Sequence, residues 1–473
     1  MPESEPGLAS EPKPRFTHST TEMAQRGPRR TVRPRTLDQF IENARGGDPA
    51  HLWDLYWFTE DPQFRTIGVL RLALSHLSIE NVPAHGGGGI AGGQIVGDRA
   101  VASIFLLLSG VFLFKTDPSF LEAAARPIIE SIDSICVWAQ LCIHFSLAAP
   151  GAGPEETYNR IGRLFVQLLL HPVFQDALLL APAFHNLVIQ MWVTSSITMD
   201  LDTDEQYHVL LLLAQFVDDP EDDIMQLFTQ RIMSRPLRWA SEFAAITVER
   251  MHRLRNLIVG GQGAIERVID YTWMILKVFE SLVSACEHLR RAFIKVDYLK
   301  QIALDLNTMS AALVERKATQ FLALMFPATW QIAVHIFNTK TPFRSVKNAR
   351  DIISGNFLAH TMRLLASSHL TPDKKGQGAE IMKLLGRYAS YPDVIVELAK
   401  LPEIDPFSLR GLTENREVSL YKSRSRSIER WHRKAKEMLS LFLRYLLLHR
   451  MPEKGLDRVP SRGMYGIQER AHP

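Results

Sequence analysis

The feature that most restricts the fold of this chain is the period of its apolar residues. Within 159–171, Ile161, Leu164, Phe165, Leu168 and Leu169 recur at i, i+3, i+4, i+7 and i+8. That spacing places them along one face of an α-helix. A second face is marked by Ile265, Val268, Ile269, Ile275, Leu276, Phe279, Leu282 and Val283. The same period predicts helices over 120–146, 206–217, 223–258, 311–326, 351–367 and 427–449. Alternation with a period of two, which a half-buried strand requires, is sustained nowhere. The expectation is an all-α protein.

Prolines give the helices an order. Within 37–450 Pro-x-Phe occurs at Pro62/Phe64, Pro118/Phe120, Pro172/Phe174 and Pro182/Phe184. With 26 Pro and 24 Phe in 473 residues, chance supplies about one such triplet. The first three prolines stand 56 and 54 residues apart. The text DPQFRTIGVLRLALSHL, from Asp61, aligns with HPVFQDALLLAPAFHNL, from His171, and YPDVIVELAKLP, from Tyr391, is a fainter echo. In that echo Pro392 and Pro402 keep the spacing of Pro172 and Pro182. Proline suits the first turn of a helix, where its missing N–H costs nothing. A Phe two residues later pins the new helix to a neighbour. Units of this kind bury their apolar faces by stacking on one another. The pattern predicts an armadillo- or HEAT-like helical repeat, with an irregular helical bundle as the alternative.

Organisation follows from breaks in the pattern. Residues 1–36 are rich in Pro, Ser, Thr and Glu and are read as a disordered tail. Residues 37–450 form the helical body and 451–473 a second disordered tail. Internal boundaries are expected near 86–97, 149–154, 260–263 and 371–378, where Gly and Pro accumulate. The first of these, within HGGGGIAGGQIVG at 85–97, and the last, TPDKKGQG at 371–378, are read as surface loops. The apolar run at 100–114, AVASIFLLLSGVFLF, spans only about 22 Å as a helix and is short of a bilayer's apolar core. A buried helix is expected there, and no transmembrane segment. Cys136, Cys142 and Cys286 are too few for a disulfide framework or a structural zinc site. They are read as small buried hydrophobes in a reducing compartment. The N-terminus has neither the apolar core of a secretory signal nor the acid-free composition of a mitochondrial one. An intracellular location, cytoplasmic or nuclear, is expected. The basic cluster RGPRRTVRPR at 26–35 has the composition of a nuclear-import signal and equally that of a solvated tail.

At 180–192 and 386–400, LAPAFHNLVIQMW and GRYASYPDVIVELAK resemble stretches of a large group of helical proteins from mushroom-forming fungi. Many members of that group carry a C-terminal MYND zinc finger. No Cys follows Cys286, so the finger itself is missing from this sequence. The resemblance implies a helical-repeat body with no assigned chemistry.

Candidate chemistry is sparse. The glycines from Gly87 to Gly92 fit G-x-G-x-x-G, but a helix precedes them where a dinucleotide site needs a strand. Asp218, Asp219 and Asp222 form D-D-x-x-D, the arrangement with which an all-helical terpene synthase holds magnesium. Pro220 interrupts the helix that would present them, and capping of the helix from Asp223 explains the same acids. Asp200, Asp202 and Asp204 have calcium-loop spacing, yet Glu205 and Leu211 stand where Gly and Glu are required. Among 16 histidines there is no H-E-x-x-H, and no G-x-S-x-G accompanies them. His144, His171 and His185 sit among apolar residues and are read as core or helix-end groups. No catalytic residue and no cofactor are expected.

Charge favours interaction at the ends. The chain carries a formal +3, made of +3 over 1–36, −8 over 37–409, +6 over 410–436 and +2 over 437–473. Lys422, Arg424, Arg426, Arg430, Arg433, Lys434 and Lys436 surround Ser423, Ser425, Ser427 and Trp431. An apolar stretch at 438–448 follows. Phosphate on those serines would reverse the local charge. The basic ends could take anionic lipid or RNA, but a solvated rim on the last core helix is favoured. The expected function is a non-enzymatic scaffold for an unknown protein partner. The alternatives are an all-helical magnesium-dependent enzyme using 218–223, or a peripheral membrane protein.

Overall fold

In the computed structural model the described residues are 36–82, 90–151, 153–194, 208–217, 223–262, 264–337, 344–388 and 391–401. They contain nineteen α-helices and no strand. In chain order these are α1 (Leu37–Ala44), α2 (Pro49–Phe58), α3 (Ile67–His76), α4 (Ile90–Val111), α5 (Pro118–His144), α6 (Pro154–Leu169) and α7 (Pro172–Leu179). Next come α8 (Pro182–Thr194), α9 (His208–Ala214), α10 (Asp223–Met233), α11 (Leu237–Gly260), α12 (Ile265–Ala285) and α13 (Glu287–Lys295). The last are α14 (Tyr298–Glu315), α15 (Phe326–Phe337), α16 (Ser345–Ser354), α17 (Phe357–Ala366), α18 (Pro372–Tyr388) and α19 (Pro392–Lys400).

Local chemistry sets most of the starts. Thr36 caps α1 in a capping box with Gln39. Asp48 caps α2 and Asp117 caps α5, each followed at once by a proline. Each Pro-x-Phe proline among the described residues opens a helix: Pro62 a 3-10 turn, Pro118 α5, Pro172 α7 and Pro182 α8. Pro392 opens α19 in the same way. The phenylalanines do anchor. Phe174, Phe184 and Phe120 are buried, and Phe114 lies within 5.9 Å of Phe120 and 5.6 Å of Phe174.

Packing follows chain order. One row runs α2, α4, α6, α9, α12, α15, α18, and a second runs α3, α5, α8, α11, α14, α17. Each helix packs on the next in its row. Cross-row pairs such as α3 with α4, α8 with α9 and α11 with α12 close the layers. The short helices α7, α10, α13 and α16 lie beside the second row. Every substantial helix–helix contact joins elements no more than three helices apart. One continuous apolar core runs through these layers from Ala44 to Leu398.

The run at 100–114 is part of this core, with Val101, Ile104, Leu106 and Leu107 fully buried. Ile95–Lys115 and Thr319–Phe337 are long and apolar enough to cross a membrane, and 72% of the first is buried inside the fold. All three cysteines are buried and unbridged. Burial pushes the Cys142 thiol up to about 12 and raises Cys136 and Cys286 as well.

Several expected boundaries are corrected. The helix expected over 223–258 breaks at 234–236, because Pro236 cannot donate and disfavours a helical Arg235. The helix expected over 351–367 turns at Gly355–Asn356, with Asn356 left-handed at φ 63°. The helix expected over 311–326 is the end of α14, a left-handed Lys317 and a 3-10 turn over Thr319–Met325. The glycine-rich segment is helical from Ile90, and the expected loop at 371–378 is the first part of α18. Gly97 and Gly378 are buried within these helices, where packing offsets the ~1 kcal/mol helix cost of a glycine. A Cβ on Gly378 would come within 2.7 Å of Leu365 Cδ2, which would have to shift. Breaks at 149–154 and 260–263 fall where expected, the second with Gly261 left-handed at φ 68°. Residues 1–35 of the expected N-terminal tail, the helix expected over 427–449 and the expected tail at 451–473 lie outside the described residues.

Candidate functional site

None of the site residues expected from sequence is among those described. Asp218, Asp219 and Asp222 lie outside, as do Lys422, Arg424, Arg426, Arg430, Trp431, Arg433 and Lys434. The calcium-like acids Asp200, Asp202 and Asp204 lie outside too. Asp223 is described and stands in the first turn of α10, where a carboxylate suits the helix dipole. Among the described residues no group of three or more His, Cys, Asp or Glu could hold a metal ion.

The expected core histidines divide. His185 is buried, its Nε2 lies 2.6 Å from the Leu179 carbonyl, and burial holds its pKa below the usual value. His171 precedes α7 and meets Phe114 edge-on at 5.5 Å. His144 is exposed and is the last residue of α5, a helix-end group.

Among the described residues a polar cleft opens where the α13–α14 and α16–α17 corners meet α16 and α19. Its volume is about 460 Å³. Asp297 and Lys300 of the α13–α14 corner line it, with Arg350, Asp351 and Ser354 of α16. Asn356 of the α16–α17 corner and Glu397, Lys400 and Leu401 of α19 complete it. The two-residue corners match: Val296–Asp297 precedes Tyr298–Leu299 as Gly355–Asn356 precedes Phe357–Leu358. Asp297 and Asn356 are both left-handed, at φ 49° and 63°. Arg344, left-handed at φ 54°, reaches Asp351 at 3.8 Å. Asp and Asn tolerate this conformation better than most residues.

The charges largely satisfy one another. Arg350 donates to Asp351 at 2.6 Å, and Lys400 pairs with Glu397 at 2.9 Å. The Ser354 hydroxyl donates to the Arg350 carbonyl. With three acids against three bases the cleft is formally neutral, so it does not concentrate one sign of ion. Ser354 is the only hydroxyl lining it, and no histidine does. The arrangement supplies paired charges for polar recognition rather than a nucleophile with its base.

Two buried polar networks tie neighbouring layers together. Asp305 of α14 is fully buried; His252 Nδ1 lies 2.7 Å from it and Arg255 donates to it at 2.9 Å, both from α11. Tyr298 of α14 meets His335 Nε2 of α15 at 2.7 Å. Burial raises the Tyr298 hydroxyl above its ordinary range. Gln331 donates to Glu280, which stands 3.8 Å from His335 Nδ1. The first network is satisfied core polarity, whereas in the second His335 Nδ1 is buried without a hydrogen bond.

Sequence reasoning missed the cleft because its residues are ordinary helix-surface charges spread over a hundred positions. The recoverable signal was the paired corner, Lys-Val-Asp-Tyr-Leu against Ser-Gly-Asn-Phe-Leu. Comparison with family models, curated proteins and solved structures yields no match to this chain.

Proposed function

We propose that this protein is a non-enzymatic scaffold, an armadillo-like stack of three-helix units that offers an extended surface to a protein partner. The observation that carries this reading is the packing order, in which every substantial contact stays within three helices along the chain. A repeat stack behaves this way, since each unit shelters only its neighbours. The units begin at α7, α10, α13 and α16, each a short helix followed by two more. Pro62 and Pro172 open the short elements that precede α3 and α8, whereas Pro118 and Pro182 open the second-row helices α5 and α8 themselves. The fungal helical-repeat resemblance belongs to this reading, as does an intracellular location.

The all-helical enzyme rests on 218–223 alone, and membrane attachment through 100–114 would require the core to open. Affinity purification from native extract at two salt concentrations tests the proposal. A stoichiometric protein partner retained at the higher salt is the expected result. Co-purifying lipid or RNA, lost at the higher salt, would replace it with a role for the basic ends. Magnesium-dependent ligand binding that disappears in Asp219→Asn would establish the enzyme instead.

A further inference from the structure

His360 of α17 is fully buried where the second row meets α15 of the first. Its Nε2 lies 2.8 Å from the Thr329 hydroxyl oxygen. That hydroxyl donates its only proton to the Met325 carbonyl at 2.9 Å, so it must accept from His360. The neutral ring therefore carries its proton on Nε2, and Nδ1 holds a lone pair. Nδ1 is buried and has no hydrogen-bond partner among the described residues. A second proton would land there, on a nitrogen with no acceptor in place.

The surrounding charges do not help it. One turn along α17, Arg363 donates to Asn307 and Ser310 of α14, and its charge opposes an imidazolium at His360. On α14 the Asp305 carboxylate is held by His252 and Arg255 of α11. On α15 His335 is held by Tyr298, and the 3-10 turn over Thr319–Met325 has no titratable residue. On α16 Lys347 is exposed and Arg350 pairs with Asp351. The ionisable side chains of α18 are exposed or half-buried, with Glu380 paired to Lys383. His76 and His185 differ, because each rests on a backbone carbonyl and neither Nδ1 is buried without a partner.

Burial, ahead of Arg363, holds the His360 ring down at about 3, against the pull of the Leu306 carbonyl. Once α17 opens, the same ring titrates near about 6.5. Acid therefore favours the open form by up to about tenfold per pH unit between those values. Among the described helices α17 packs on α14, α16 and α18, so its opening stays within the last layers.

We propose that His360 is an acid-sensitive latch on the C-terminal layers: a proton taken from solvent at Nδ1 releases α17, and with it α18, from α14 and α15, while the earlier layers stay packed. The α16–α17 corner brings Asn356 to the polar cleft, so the release also dismantles that cleft. This inference stands whether or not the protein is a scaffold.

Two measurements on the full chain test it. In the first, hydrogen exchange is followed at pH 7.5 and 5.0 with the intrinsic rates divided out. Protection of α17 and α18 should fall about thirtyfold between the two. His360→Gln should remove that fall while every other helix behaves as in the wild type. A fall that persists in the variant, or α17 and α18 that stay equally protected at pH 5.0 in the wild type, overturns the proposal. In the second, which needs no variant, the nitrogen-15 shifts of the His360 ring are read at both pH values. A neutral ring with its proton on Nε2 is expected wherever α17 is protected. A ring that gains a proton on Nδ1 while α17 remains protected contradicts the latch.

Discussion

Gly355 and Gly376 place opposite demands on a side chain. A Cβ on Gly355 would sit 2.5 Å from the Lys300 carbonyl oxygen and 2.6 Å from the Ala303 Cβ, so α14 or the corner must move. Gly376 has nothing within 4 Å and lies inside α18. Gly355→Ala should therefore lose roughly 1–3 kcal/mol in urea unfolding. Gly376→Ala should gain up to ~1 kcal/mol from helix propensity. Asp305 poses a different problem, because it is fully buried between His252 and Arg255. Asp305→Ala removes the acceptor of Arg255 Nη1, whose other donors keep Asn256, and should cost about 1–3 kcal/mol by the same assay. Burial, ahead of the Arg363 charge, lowers the His360 pKa to about 3, against the pull of the Leu306 carbonyl. The folded state then resists a proton that the unfolded chain accepts below about 6.5. Stability from this group is complete above that pH and falls on acidification, by up to ~1.4 kcal/mol per pH unit down to the folded value. His76 and His185, also lowered by burial, act in the same direction. His360→Gln should flatten the dependence of the urea midpoint between pH 6.5 and 4. The burial of the cysteines was legible from their apolar neighbours. The partners of Asp305 were not, since a pairing across some fifty residues leaves no trace in local periodicity.

Among the elements, helix starts were legible and corners were not. A proline announces a start because the chemistry lies in the residue itself. The Gly355–Asn356 corner interrupts an apolar period that continues on both sides, from Ile352 and Ile353 to Phe357 and Leu358. Only the left-handed Asn356 separates α16 from α17, and asparagine occurs in helices often enough to carry little warning. Asn356→Gly should be tolerated, whereas Asn356→Ala should be less stable than the glycine variant by about 1–2 kcal/mol in thermal or urea unfolding. The glycine-rich segments misled in the other direction. Gly97 and Gly378 permit close approach of Leu147 and Leu365, so they serve packing inside helices rather than loop mobility. The candidate cleft depends on two such corners coming together beside α19, and it was hidden for the same reason that they were.

The whole molecule is governed by short-range packing. Its helices rely on immediate neighbours, and no substantial contact ties the first layers to the last. All-helical architecture followed from periodicity alone, while the layer order needed the contacts themselves. Such a stack should lose structure in adjoining blocks rather than all at once. Native-state hydrogen exchange at rising urea, with and without Leu385→Ala in α18, tests this most directly. Leu385 is fully buried, and its truncation weakens the last layers. Neighbour-only packing predicts faster exchange in α15, α17 and α18 with α2 to α6 unchanged. Equal acceleration of every helix, α2 to α6 included, would contradict it.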